Sequence, residues 1–336
     1  MEMKLTHLLR VEEESGVGEA RRLSAALAHS LGFDDARAGE AAIVATELAT
    51  NLVKHANGGE LIFRTLGAEG VAGLEVLSLD KGPGIRNIGE CFRNGHSTSG
   101  SPGTGLGAIR RLSTDFDLFS APGRGVALLS RLWCHRPPPS PVEMGVICLP
   151  VTGETACGDA WAARVLADRG LFMVADGLGH GSFAAEASGE AVKVFEAHAA
   201  EGPADLLEKA DVALRGTRGA AVAFAELLWG RGVVRFAGVG NICGRILAGG
   251  SARHLVSQNG TAGLEALRIR EYTYPWPPDG VLILHSDGIA IHWNLDEYPG
   301  LPGKHPALLA GVLYRDYNRS RDDSTVVVIG MKRSSP

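Results

Sequence analysis

Apolar residues at Val17, Ala20, Leu23, Leu27 and Leu31 recur at helical spacing, which predicts a first helix over residues 17–31 with one face buried. Asp34 or Asp35 supplies a capping carboxylate for a second, longer helix running to about Ala56. The period then changes. Residues 61–66 and 74–79 read as strands joined by the turn-rich Gly67-Ala68-Glu69-Gly70. A glycine-rich stretch from Asp80 to Gly107 leads into a short helix over residues 106–112. Two further strands, residues 116–120 and 126–133, flank the turn Pro122-Gly123-Arg124-Gly125. This half is expected to be a few helices over a mostly antiparallel sheet. Arg136-Pro137-Pro138-Pro139-Ser140-Pro141 follows as a semi-rigid extended linker. Beyond it, from about Val142, strand runs alternate with alanine-rich helices at residues 184–200 and 204–215. Little is expected between Asn294 and Asp322. The pattern is that of an α+β chain with domains at residues 1–135 and 142–336 and a linker at 136–141.

Length and charge narrow the classes. A chain of 336 residues has room for two domains, each with its own core. A net charge of −5 gives no electrostatic footprint for nucleic acid or an anionic membrane surface. No apolar stretch approaches the roughly 20 residues that span a bilayer. Residues 1–14 are charged and lack an apolar signal core, so a cytoplasmic location is expected. Cys91, Cys134, Cys148, Cys157 and Cys243 show no C-x-x-C spacing, which points to reduced thiols and no zinc site.

In the first half, Glu47 and Asn51 stand four apart on the second helix and share a face that Lys54 and His55 continue. An Asn oxygen suits a hard cation, and a neighbouring Glu can orient or deprotonate a nucleophile. Asp80-Lys81-Gly82-Pro83-Gly84 sets a carboxylate at a strand end before a tight turn, where it can accept from an exocyclic amine such as that of adenine. Gly103-Thr104-Gly105-Leu106-Gly107 opens a helix whose bare N–H groups and dipole favour phosphate. The intervening residues 85–102 have the length of a functional loop and fit a lid over the phosphates.

These segments, in this order, resemble the GHKL ATPase superfamily with its Bergerat fold. Thr46-Glu47-Leu48-Ala49-Thr50-Asn51-Leu52-Val53-Lys54-His55-Ala56 and Gly107-Ala108-Ile109-Arg110-Arg111-Leu112 are most similar to the small anti-sigma and switch serine kinases of the RsbT type. The resemblance covers nearly all of residues 1–135. It implies that Asn51 holds Mg2+, that Glu47 is the general base, that Asp80 reads adenine, and that residues 103–107 hold the phosphates of ATP. Histidine kinases share these boxes but need a helix bearing a phospho-accepting His, and no such helix precedes Val17.

In the second half four aspartates sit beside small residues. They are Asp159 in Cys157-Gly158-Asp159, Asp176 in Ala175-Asp176-Gly177-Leu178-Gly179-His180-Gly181, Asp287 in Ser286-Asp287-Gly288, and Asp322 in Asp322-Asp323-Ser324-Thr325. Three of them adjoin the buried-strand runs 171–175, 281–284 and 326–329. Carboxylates crowded at one edge of a sheet cannot all stay ionised without a cation among them. Two divalent ions so held can generate a hydroxide and clamp a phosphoryl group, which needs no protein nucleophile. His180 is either a proton donor to the leaving oxygen or a turn residue bonded locally. Trp161, Trp276 and Trp293 read as packing residues, and Gly240-Asn241 as a tight turn without chemistry.

From about Val142 to Met331 these residues resemble the PPM serine/threonine phosphatases of the compact SpoIIE and RsbX type, an α-β-β-α sandwich. The resemblance implies two Mn2+ or Mg2+ ions held by Asp159, Asp176, the Gly177 carbonyl, Asp287 and Asp322, with Asp323 as the alternative to Asp322. Cys157 stands where that family usually has a smaller residue. Together the two resemblances imply a fused switch. One half phosphorylates a STAS-domain antagonist or stressosome protein on Ser or Thr, and the other reverses it. Alternatively the first half sequesters a partner, such as a sigma factor, without turnover. A homodimer fits either version.

Overall fold

The computed structural model describes residues 6–91, 105–265 and 268–332. The chain forms two compact units, residues 1–139 with 294–315, and residues 140–293 with 316–336.

The first unit opens with β1 (Thr6–Val11), α1 (Glu14–Ser30) and α2 (Asp35–Ala56). It continues with β2 (Gly59–Ala68), β3 (Val71–Leu79), α3 (Ile88–Cys91), α4 (Gly105–Leu112), β4 (Asp115–Ser120) and β5 (Val126–Trp133). Of the two capping candidates, Asp34 takes the position, its carboxylate accepting from the Arg37 N–H at 2.7 Å. The strands form an antiparallel sheet in the order β1-β2-β3-β5-β4. Alternation sorts their side chains. Leu61, Phe63, Leu74, Val76, Leu128 and Leu132 join Ala45, Leu48, Ala49 and Leu52 of α2 in one core. Ile62, Leu77, Leu79 and Leu129 belong to the opposite face of the pleat, yet they too are buried. On that face Glu75 bridges Arg64 at 2.9 Å and Arg131 at 2.7 Å across three strands. Burial pushes the Glu75 carboxyl up, but the two guanidinium groups outweigh it and hold the group below its usual range.

The second unit holds β6 (Val142–Leu149), β7 (Asp159–Val165), β8 (Gly170–Gly177), α5 (Ser182–His198) and α6 (Pro203–Ala213). Next come β9 (Ala220–Leu228), β10 (Val233–Val239), β11 (Cys243–Ala248), β12 (Ser251–Leu255), β13 (Tyr272–Pro275) and β14 (Val281–His285). After α7 (Pro306–Tyr317), β15 (Ser324–Met331) completes the chain's strands. Two sheets result, ordered β13-β10-β9-β8-β7 and β12-β11-β14-β15-β6. They pack face to face, Phe172, Val174, Ala223 and Phe236 meeting Ile246, Leu282, Leu284 and Val327. On the outer face of the first sheet, Leu171, Met173 and Phe224 pack under Ala187, Ala191 and Phe195 of α5 and Leu206 and Leu207 of α6.

Residues 294–315 differ from the sequence expectation. Where little structure was expected, 3-10 turns lead into α7, and the segment packs within the first unit. The Lys304 ammonium lies 3.1 Å from Asp117 Oδ1, and the His305 N–H donates to Asp117 Oδ2 at 2.8 Å. Arg124 pairs with Glu297 at 2.8 Å, and the rings of Phe119 and Tyr298 meet at 6.3 Å. Gly311 comes so close to the sheet that an added Cβ would stand 2.8 Å from a methyl carbon of Leu77 and of Leu79. This segment therefore covers the sheet face turned away from α1 and α2. Two leucines 2% and 1% exposed, each worth about 1.5–3 kcal/mol when buried, account for why that face is not left to water.

Candidate functional sites: a nucleotide cradle and a carboxylate centre

In the first unit α2 touches both glycine motifs. Its middle turn carries Glu47 and Asn51, both half-buried and one turn apart. Gly105, the first residue of α4, lies against them: an added Cβ would sit 2.8 Å from Glu47 Oε2 and 3.9 Å from Asn51 Oδ1. A glycine is the residue that lets a backbone approach so closely. Leu106 and Gly107 continue in the first turn of α4, while Gly103 and Thr104 lie outside the described residues, as do residues 92–102 of the expected lid. At the end of α2, Ala56 Cα would be 2.8 Å from a Cβ on Gly82. Lys54 and His55 are exposed.

Asp80 follows β3 and is 8% exposed. Its Oδ1 accepts from the N–H groups of Gly82 at 2.8 Å and Val126 at 3.1 Å. Gly84 closes the turn at φ +72°. Burial raises the Asp80 carboxyl, opposed by those two N–H groups and by the charge of Arg315. A Glu beside an Asn thus meets a helix start, although 58 positions separate Glu47 from Gly105.

In the second unit Asp159 and Asp176 face each other in register across β7 and β8. Asp287 follows β14 and the Asp322-Asp323 pair precedes β15, two strands that are themselves paired. The groups feel one another. Burial, then the charges of Asp159, Asp287, Asp322 and Asp323, push Asp176 up to about 9. Burial, opposed by the Ser286 hydroxyl and reinforced by Asp323 and Asp322, pushes Asp159 up to about 7. Asp287 is raised by burial and Asp322, against the opposing charge of Arg319. Gly177 leaves no room for a side chain, since an added Cβ would lie 2.1 Å from the Ala184 carbonyl.

The donors are hard carboxylate oxygens at strand ends, the chemistry that suits Mg2+ or Mn2+. Their mutual repulsion is what such ions relieve, so the residues fit the group. Among the described residues no three His, Cys, Asp or Glu side chains are drawn into a ready cluster around one ion.

Supporting residues escaped the sequence reading. Asn241, read there as a plain turn, donates from Nδ2 to Asp287 Oδ2 at 2.7 Å. The Ser286 hydroxyl donates to Asp159 Oδ2 at 2.6 Å and accepts from the Thr325 N–H at 3.0 Å. Both oxygens of Asp323 are engaged by backbone, by Val151 N at 2.7 Å and Gly158 N at 2.8 Å. Only adjacency to the Gly-Asn and Ser-Asp-Gly motifs marked Asn241 and Ser286 in the sequence, whereas Asp323 was already the alternative to Asp322. His180 Nδ1 is 2.8 Å from Oε1 of Glu154, 26 positions away. Cys157 lies with its Sγ 3.8 Å from that of Cys148, and its thiol is pushed up by that neighbour and by burial. Trp276 and Trp293 are buried, and Arg245 stacks 4.1 Å over the Trp293 ring.

Two different families match the two parts of the chain. Residues 11–133 match the family model of the histidine kinase-like ATPase domain, and residues 167–332 that of stage II sporulation protein E (SpoIIE). The serine/threonine-protein kinase RsbT of Bacillus subtilis (strain 168) is 32% identical over 125 residues, 37% of this chain and 94% of RsbT. The phosphoserine phosphatase RsbX of the same organism is 24% identical over 142 residues, 41% of this chain and 70% of RsbX. A solved structure described under the bacterial stressosome, as a modular system adapted to control secondary messenger signaling, aligns with TM-score 0.52. It is 28% identical and covers 56% of this chain and 98% of that one.

Proposed function

Because the chain belongs to the RsbT family of serine/threonine kinases through its first domain and carries a SpoIIE-type phosphatase domain after it, we propose that it writes and erases one phosphoryl mark. The substrate in this reading is a Ser or Thr of a STAS-domain antagonist or stressosome protein. The observation that supports the kinase half is the closure of Gly105 on Glu47 and Asn51, which brings a carboxylate, an amide oxygen and the start of α4 side by side. In this reading Glu47 would take the proton of the attacking hydroxyl, Asn51 would hold Mg2+, Asp80 would accept from the adenine amine, and the glycine-rich segment 103–107 would meet the phosphates.

In the phosphatase half Asp159, Asp176, the Gly177 carbonyl, Asp287 and Asp322 would hold two Mg2+ or Mn2+ ions. Asp322 is favoured over Asp323 because both Asp323 oxygens already accept from backbone N–H groups. Bound ions would supply activation of water and neutralisation of phosphoryl charge. The chain's own part is orientation: Ser286 fixes Asp159 and Asn241 fixes Asp287.

The test is the intact mass of a STAS-domain protein from the same genome after incubation with ATP, Mg2+ and the Asp287→Asn variant, whose phosphatase centre is disabled. The expected result is gain of one phosphoryl group, lost again when wild-type protein and Mn2+ are added. No gain while ATP binds would reduce the first domain to a nucleotide-dependent binding module and overturn the two-way switch.

A further inference from the structure

Arg315 stands at the end of a helix that otherwise carries no buried charge. From Pro306 to Tyr314 α7 is Pro-Ala-Leu-Leu-Ala-Gly-Val-Leu-Tyr, all buried, and an apolar covering of the sheet requires nothing more. Arg315 is itself 9% exposed, a burial that a guanidinium sustains only where hydrogen bonds meet it. Its Nη1 donates to the Asp80 carbonyl at 2.7 Å and stands 3.4 Å from the Val126 carbonyl.

That is the joint where β3 ends and the nucleotide turn begins. The Asp80 N–H donates to the same Val126 carbonyl at 3.0 Å, and the Val126 N–H donates back to Asp80 Oδ1. The main chain of Asp80 is therefore held from both sides, by β5 and by a residue 235 positions further along the chain. Gly125 keeps the approach open, since a Cβ there would be 2.0 Å from the Asp80 oxygen. Arg315 lies outside residues 11–133, the span that matches the ATPase model, yet it packs in the first unit.

We propose that Arg315 is a positioning residue of the nucleotide site, holding Asp80 where its carboxylate distinguishes adenine from a base with an oxygen at the same position. The inference rests on Asp80 as the acceptor for the adenine amine. A guanidinium is always charged, so besides fixing the strand end it favours the ionised, acceptor-only form of that carboxylate. Hypoxanthine presents a carbonyl oxygen there, which an ionised acceptor repels. The nucleotide domain in this chain is thus completed by a helix lying beyond its own sequence span.

The experiment measures binding of ATP and ITP, each with Mg2+, to the full-length wild type and to Arg315→Gln and Arg315→Met, with melting temperature recorded for each. The wild type is expected to prefer ATP. In Arg315→Met ATP affinity should fall about tenfold, the scale of one charge-assisted hydrogen bond, while ITP affinity holds, so the preference collapses. Arg315→Gln, which keeps a donor and adds little strain, should retain part of the preference and supplies a folded variant if Arg315→Met does not fold. Equal losses for both nucleotides that track a lower melting temperature, or an unchanged preference, would overturn the inference. A wild type indifferent to the base would instead overturn the reading of Asp80 on which it rests.

Discussion

Each carboxylate of the phosphatase centre is ordinary alone and costly in company. Asp176 ionises near 9 in the folded chain against 3.8 unfolded, and Asp159 near 7. Between those values the folded state holds protons that the unfolded state has released, so stability falls as pH rises. His285, neutral and buried with its pKa lowered from 6.5 to about 4, acts in the opposite sense, but only below 6.5. Between 6.5 and 9 the aspartates act without His285, joined near the upper end by the raised thiols of Cys157 and Cys243, which act in the same direction. In chelator the melting temperature should drop by about 5 °C across that window, and Asp176→Asn should flatten the slope while abolishing dephosphorylation. Saturating Mg2+ or Mn2+ should flatten it too. A melting temperature that climbs with pH in chelator would contradict this account of the centre.

At the scale of elements, what was legible depended on amphipathicity. α1 and α2 each turn one face to the sheet, so their spacing betrayed them, and Asp34 marked the start of α2. β1 was missed: it is an edge strand with only two buried side chains, too short a pattern to rise above its surroundings. α7 was missed for the opposite reason, because a helix buried on every side has no polar face to set a period. Gly311 tests how tightly that helix is seated. Gly311→Ala should be close to neutral, since the gain in helix propensity offsets a contact with two yielding leucine methyl groups. Gly311→Val should cost about 1–3 kcal/mol by overpacking, read as a lowered midpoint in urea. Equal stability of the two variants would mean that α7 is loosely held.

For the whole molecule, the proline-rich stretch is an incomplete guide to how the chain divides. The chain passes from one unit to the other near residue 139 and again around 293 and 315, so neither unit is a single continuous segment. A fragment ending at residue 139 would expose Leu77 and Leu79 along with the partners of Lys304, Glu297 and Tyr298. Such a fragment should aggregate or melt well below the full chain, and joining residues 294–315 to it through a flexible linker should recover a monomer. A monomeric 1–139 fragment melting at the temperature of the full chain would show that α7 is dispensable. Among the described residues no helix is long and apolar enough to cross a membrane.

The sequence by itself determined the chemistry on offer: the ordered Glu-Asn, Asp-Gly and glycine-rich segments, and the aspartates at strand ends. Those are local patterns, written in neighbouring residues and in the period of the elements that carry them. Tertiary structure decided what no local pattern records. It brought Asn241 to Asp287 and Ser286 to Asp159, committed Asp323 to the backbone of Val151 and Gly158, and laid α7 with Arg315 against Asp80. The physical reason is the same in each case. A hydrogen bond or a buried face between residues tens to hundreds of positions apart depends on where packing carries each element, and that is settled only when the core closes.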